Sequence, residues 1–266
     1  MKKTTRTILK ALVILVPLAY FFPWWTAFFL LCGTYDVVRN RKLDTSVVLQ
    51  YFFGNGLLTW ILSPFNILMD ILALPYTNRG IYRLEDLPKS YQQEIRKLID
   101  ESHEIDLVGQ LEERTRTQPR TMIFFKWYGA NVETFVHAPA FQEKYRYIRT
   151  IGVSVFNQRE STSRHFGPLR ATLRVLYNIN TMEDNSAYIE VGKVKHYWCD
   201  EKLFIFDDTL LHQSFNESDK ARYCLFVDIL RPSPLTALLS VVVDGLRVFL
   251  RGINYLFYKN WKVLTR

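Results

Sequence analysis

The residues best suited to chemistry fall in two short stretches. One is Ser163-Arg164-His165-Phe166-Gly167-Pro168-Leu169-Arg170-Ala171-Thr172-Leu173-Arg174. The other is Phe206-Asp207-Asp208-Thr209-Leu210-Leu211-His212, continued by Arg222-Tyr223-Cys224-Leu225-Phe226-Val227-Asp228. Each places a histidine at the mouth of a β-rich element. In the second, Arg222 stands ten positions beyond His212, where an apolar strand begins. Two imidazoles that leave coordination positions open suit a non-haem Fe(II) centre, which must also take a co-substrate and O₂. A buried arginine nearby suits a dicarboxylate, because its planar fork pairs with a carboxylate through two parallel hydrogen bonds.

These side chains need a scaffold, and the pattern around them predicts one that is mainly β. Short runs rich in β-branched and aromatic residues recur at Thr121–Tyr128, Thr150–Phe156, Ala171–Ile179, Ala187–Val191, Lys202–Phe206 and Arg222–Ile229. Polar or glycine-containing turns separate them, as in a sandwich or barrel. Before them, Leu87 to Ile105 carries helical spacing at Tyr91, Ile95, Leu98 and Ile99, with Pro88 where a first turn tolerates it. Thr172, Arg174 and Leu176 share one face of their strand. An inward arginine is costly unless an anion accompanies it, which points to ligand contact for Arg174.

The two histidine segments resemble the aspartyl/asparaginyl β-hydroxylase family of 2-oxoglutarate oxygenases. Within it they are similar to the membrane-bound lipid A and ornithine lipid 2-hydroxylases. The resemblance covers about Arg83 to Pro232. It implies a double-stranded β-helix, a jelly-roll variant, with His165 and His212 as iron ligands and Arg222 as anchor of the distal carboxylate of 2-oxoglutarate. Trp127, Ser154 and Arg174 match family co-substrate positions. Two departures stand out. The family's facial triad often has a carboxylate two residues after the first histidine, where this chain has Gly167. The animal protein hydroxylases of the family share that departure and work with two histidines and water, whereas the bacterial lipid hydroxylases more often keep an aspartate. Leu176 stands where the family often has a further histidine. Asp207 and Asp208 are carboxylates near at hand, read as turn-forming or supporting groups. His103, His137 and His196 lack matching flanks and are read as structural or exposed.

The termini carry a different signal. Ala11 to Cys32 contains no charged residue and is long enough to span a bilayer, following Lys2, Lys3, Arg6 and Lys10. No small-residue cleavage site follows it, so a retained segment is expected rather than a signal peptide. Pro17 and Pro23 leave a bent or hairpin form open. Val47 to Pro75 is a second apolar stretch, with Asp70 as its one charge: a second span, a re-entrant piece or an interfacial helix. Positive charge on both sides of the first run, at Lys2 to Lys10 and at Arg39, Arg41 and Lys42, leaves its orientation open. From Leu235 to Phe257 an amphipathic helix carries Asp244, Arg247 and Arg251 on one side, with Lys259, Trp261, Lys262 and Arg266 at its end. It is expected at a membrane surface, with packing on the core as the alternative.

The chain therefore divides into a membrane-associated region (1–82), an oxygenase domain (83–234) and a C-terminal membrane-associated helix (235–266). The formal net charge of +8 fits an anionic lipid surface. No nucleic-acid-binding module accompanies it. Cys32, Cys199 and Cys224 form neither a disulfide framework nor a metal motif, which fits a reducing compartment. The expected activity is Fe(II)- and 2-oxoglutarate-dependent hydroxylation of a membrane lipid acyl chain with O₂, at the cytoplasmic face of a bacterial inner membrane. Two rivals remain: a protein Asp/Asn hydroxylase, and a non-catalytic membrane scaffold with a relic oxygenase fold. The acceptor and the oligomeric state are not legible.

Overall fold

The computed structural model describes residues 3–40, 44–55, 57–250 and 261–264. The strands are β1 (Ile81–Tyr82), β2 (Arg120–Trp127), β3 (Ala130–Asn131), β4 (Ile148–Phe156), β5 (Glu160–Ser161), β6 (Thr172–Asn178), β7 (Ala187–Val191), β8 (Val194–Tyr197), β9 (Leu203–Phe206), β10 (His212–Asn216), β11 (Arg222–Leu230) and β12 (Lys262–Leu264). They form two sheets. The larger runs β1-β9-β6-β11-β4-β2-β12 with β3 paired to β2, and the smaller runs β5-β10-β7-β8. Pairing is antiparallel except for β12, which lies parallel to β2. All six predicted strands are present within two residues of their expected bounds.

Strand period two sends alternate residues to opposite faces of the larger sheet. On β11, Tyr223, Leu225, Val227 and Ile229 join a core with α6 (Lys89–Glu104) and α7 (Leu107–Thr115), where Tyr91, Ile95, Leu98, Leu107 and Leu111 are buried. The predicted helix is thus α6, entered from Pro88 as expected. Cys224 and Phe226 face the other way, into a second core shared by Phe206 of β9, Ile189 and Val191 of the smaller sheet, and Trp198. Trp127 has the parity of Ile123 and Phe125, which face the helices, yet it packs in the core between the sheets. An irregularity in the β2–β4 pairing between Phe124 and Lys126 shifts the register by one and turns Trp127 over.

The N-terminal region is broken into shorter helices where long apolar runs are expected. Among the described residues no helix is long and apolar enough to cross a membrane. The run expected to cross at about 11–32 is split into α1 (Lys3–Phe21) and α2 (Pro23–Val38). Phe22 leaves the helical region (φ −135°, ψ 59°) because the residue before a proline is pushed out of it. The second stretch, 47–75, is divided among α3 (Thr45–Leu49), a π-helical turn (Gln50–Gly54), α4 (Leu57–Ile61) and α5 (Ser63–Leu72). Gly54 and Pro64 lie at these breaks, and Ser63, Asn66 and Met69 of α5 are buried.

The C-terminal helix, α8 (Thr236–Leu250), packs on the core: Leu239 and Val243, one turn apart, are buried with Met69, Ala171 and Leu230. Arg247 reaches the Tyr128 carbonyl at 3.4 Å, so its guanidinium is directed at the protein rather than held outward on a polar face. Lys262 lies in β12, and Trp261 packs edge-on against Phe156 at 5.1 Å. Lys2, Arg41, Lys42, Arg251, Lys259 and Arg266 lie outside the described residues.

Candidate active site

His165 and His212 are brought face to face. They form an isolated antiparallel bridge, with His165 N–H donating to His212 O at 3.1 Å and His212 N–H donating to His165 O at 2.9 Å. Their rings lie 4.3 Å apart, tilted by 51°. Each Nδ1 is tied to the carbonyl two residues before it, His165 to Ser163 at 2.7 Å and His212 to Leu210 at 2.8 Å. A carbonyl accepts only, so Nδ1 carries the proton and Nε2 keeps its lone pair. Burial lowers both imidazole pKa values, His212 well below the ordinary range, with the neighbouring ring adding to the effect. Two neutral rings oriented through backbone carbonyls are what metal-ligating histidines require.

No group of three or more His, Cys, Asp or Glu side chains able to hold a metal is present among the described residues, so the histidines stand as a pair. A carboxylate is nonetheless close by. A Cβ built on Gly167 would meet Asp208 Cγ at 2.5 Å and its oxygens at 2.6 and 2.7 Å. Asp208 thus fills the space that a side chain at 167 would take. Burial pushes its carboxyl up to about 7; Arg174 opposes this, and the Asp228 and Asp207 charges reinforce it. A buried carboxyl in that condition is relieved by a nearby cation. Sequence reasoning left Asp208 in a turn role, and the contact between positions 167 and 208 could not be read without the pairing of their backbones (Gly167 N–H to Asp208 O, 2.7 Å).

The remaining expected site residues face the same interior. Arg174 donates to Asp228 at 2.6 Å and to Asp208 at 2.9 Å, and its guanidinium sits 3.7 Å from the Phe226 ring centroid. The anion that an inward Arg174 demands is therefore supplied at least in part by the protein, from Asp228 directly opposite it on β11. Ser154 lies opposite Cys224 and donates to its carbonyl at 3.3 Å. Trp127 meets Phe124 edge-on at 4.7 Å.

Arg222 is different. It is 1% exposed, stacks over Phe156 at 4.4 Å and Trp198 at 5.2 Å, and has no hydrogen-bond partner at Nε or Nη1. Burial pulls its pKa down without a carboxylate to offset it. A desolvated guanidinium with open donors is costly unless an anion joins it. The donor set fits a divalent metal at the histidines and a carboxylate at Arg222.

Two rings free at Nε2 and an arginine with open donors on the inner face of β11 are a donor set suited to a metal that leaves coordination positions for reactants. The chain belongs to the aspartyl/asparaginyl β-hydroxylase family, whose model matches residues 90–232, more than half of its length. It is also 30% identical over 103 residues to an ornithine lipid ester-linked acyl 2-hydroxylase of Rhizobium tropici. That match spans 38% of this chain and 37% of the relative's length. Among solved structures, a 2OG-Fe(II) oxygenase family oxidoreductase from Burkholderia pseudomallei is 11% identical with a TM-score of 0.32, covering 47% of this chain and 79% of that one. TT1209 from Thermus thermophilus is 12% identical with a TM-score of 0.28, covering 42% and 86%. At such scores the overlaps carry no weight in the assignment.

Proposed function

We propose that the chain is an Fe(II)- and 2-oxoglutarate-dependent dioxygenase that hydroxylates a membrane lipid acyl chain, of ornithine lipid or lipid A, at the 2-position. The reading rests above all on the two imidazoles free at Nε2 together with a buried Arg222 whose donors are open. In it His165 and His212 hold Fe(II), Arg222 receives the distal carboxylate of 2-oxoglutarate, and Trp127, Ser154 and Arg174 line its bed. The two facing sheets are read as a double-stranded β-helix. Iron with 2-oxoglutarate and O₂ supplies the oxidising power that an unactivated C–H bond needs. The protein's own share is orientation and dryness. The Nδ1 bonds fix the rings, Arg222 fixes the dicarboxylate, and Phe124, Phe206 and Phe226 keep water from the space between the sheets.

A lipid acceptor is favoured by the Rhizobium relative and by the apolar surface around the α1–α2 break. There Tyr20 is 80% exposed, Trp24 86% and Trp25 66%, with Phe21 and Phe22 also outward. Leu74, Leu238, Val241 and Val248 add outward apolar side chains on the regions flanking the β-sheets. A surface of this kind lies in an interface with its aromatic side chains at headgroup depth. The proposed place is the cytoplasmic face of a bacterial inner membrane, with +8 of net charge toward anionic lipid. Gly167 favours a second reading, hydroxylation of Asp or Asn in a protein.

Lipid mass spectra of cells with and without the gene separate these acceptors. A shift of about 16 Da on one lipid class, as insertion of one oxygen by such a cofactor demands, supports the first reading. Unchanged lipids sink it. His165→Ala and His212→Ala should each abolish iron-dependent succinate formation while circular dichroism stays native. Full activity in either variant removes that histidine from the iron.

A further inference from the structure

The loop through His165 and the loop 207–211 that leads into β10 at His212 have several backbone polar groups met by side chains from the N-terminal region. Asn55 pairs with both backbone groups of Phe166, donating to its carbonyl at 2.9 Å and accepting from its N–H at 2.8 Å. Gln50 donates to Arg164 O at 2.8 Å, so the backbone is held on both sides of His165. Asn66 spans the next turn, donating to Pro168 O at 3.0 Å and accepting from Arg170 N–H at 2.9 Å. On the other loop, Asn40 accepts from Leu211 N–H at 2.7 Å, immediately before His212. Phe166 and Leu211, the chain neighbours of the two histidines, are buried together on Val37, Val47 and Tyr51.

Charge reinforces the same junction. Arg39 donates to Asp207 at 2.5 Å and to Thr209 at 3.1 Å. Arg170 bonds Asp36, Asp70 (2.7 Å) and Thr209 (3.2 Å), and Arg231 bonds Asp70. Except for Arg170–Thr209, which ties the two loops to each other, these contacts join residues 36–70 to the loops or to the end of β11.

We infer that residues 36–70 are a structural part of the metal centre, with Asn40 and Asn55 as positioning residues that fix His212 and His165 through the adjoining backbone. This rests on the histidine pair being a metal site, and it adds that the site does not reside in the β-sheets alone. A carboxamide presents one donor and one acceptor side by side, which is the pattern a neighbouring strand would offer Phe166. Removing it orphans a buried N–H and C=O next to a ligand, so the error appears in ring position. Groups that orient metal-bound histidines typically change metal affinity by about 10- to 100-fold when lost.

The test uses the full chain and Co(II), followed by its visible absorption, with thermal unfolding of the metal-free protein alongside. Asn40→Ala and Asn55→Ala should each weaken Co(II) binding by about 10-fold or more and alter the band shape. Gln50→Ala, which gives up one bond, should weaken it severalfold and keeps the test open if Asn55→Ala does not fold. Glu94→Ala is the comparison, because Glu94 makes the same kind of side-chain-to-backbone clamp on Arg146, Tyr147 and Ile148, on the helix side of the larger sheet. It should lower the melting temperature and leave Co(II) affinity unchanged. Variants of Asn40, Asn55 and Gln50 that lose stability but bind Co(II) as tightly as the unaltered chain would overturn the inference alone. Failure of the unaltered chain to take up Co(II) would overturn the histidine-pair reading with it.

Discussion

Gly167 and Asp208 compete for one space, and a double-mutant cycle measures that competition. A Cβ at residue 167 would lie only 2.5 Å from Asp208 Cγ, so Gly167→Ala forces the carboxylate aside. The carboxylate is not free to swing, because Arg174 holds it at 2.9 Å. Overpacking at a tight site costs about 1–3 kcal/mol. For a chain of this size that lowers the melting temperature by roughly 2–12 °C, at about 2–4 °C per kcal/mol. Gly167→Asp should cost more, since it sets a second carboxylate against the first. Asp208→Gly empties the space, so each double variant should be more stable than the sum of its single changes predicts. The coupling should favour the double variant by about 1–3 kcal/mol, within the range for residues in direct contact. Thermal unfolding of the metal-free proteins by circular dichroism reads it. Additive losses would show that the two positions do not share space, and Asp208 would lose its place beside the histidines.

Three further outcomes follow from geometry already described. Arg222→Ala should raise the KM for 2-oxoglutarate far more than Arg222→Lys, because a buried carboxylate left unpaired costs about 2–5 kcal/mol, tens to thousands of fold in binding; an unchanged KM in the alanine variant removes the anchor role. Burial alone would raise the Asp207 carboxyl, but Arg39 and Arg170 outweigh it and hold it well below the usual range. Its stabilisation is therefore present above the unfolded value of about 3.9 and is withdrawn as pH falls below that. Arg39→Met should move the acid-unfolding midpoint to higher pH, and an unmoved midpoint would mean that Arg39 is not the controlling charge. Trp24→Ser with Trp25→Ser should weaken binding to anionic liposomes and leave the melting temperature unchanged, since both rings are exposed; retained binding would place the membrane contact elsewhere.

The strands were legible because β-branched and aromatic residues concentrate in short runs between turns, as on β11, which is buried on both faces. Strand β10 escaped notice because Gln213, Ser214 and Asn216 carry no apolar pattern; its ladder is set by Ala187–Val191 opposite. The flanks single out His165, His212 and Arg222 as candidates, yet Asp228 as the partner of Arg174 needs the β6–β11 register, in which the two lie directly opposite. The N-terminal region was the least legible. Hydropathy sees apolar length, and the stretch to Pro75 is apolar enough to suggest spans. What it cannot see is that Asp36 and Asp70 find Arg170 and Arg231 a hundred or more positions later, or that Asn40, Asn55 and Asn66 serve as hydrogen-bond partners for distant backbone. Charges and amides placed in an apolar stretch were the available signal, since an unpaired buried charge is too costly to persist.

The charge cluster also orders events during synthesis. Asp36 and Asp70 lie early in the chain, Arg170 follows past its middle, and Arg231 comes later still. At roughly 5–20 residues per second, the acidic side chains wait roughly 7 to 30 seconds for their last partner. Until then α2 and α5 cannot bury those carboxylates, and their apolar faces have no core to join. The last of these ion pairs, Arg231 with Asp70, forms only after β11 is made, so the support beneath the two histidine segments is completed late in synthesis.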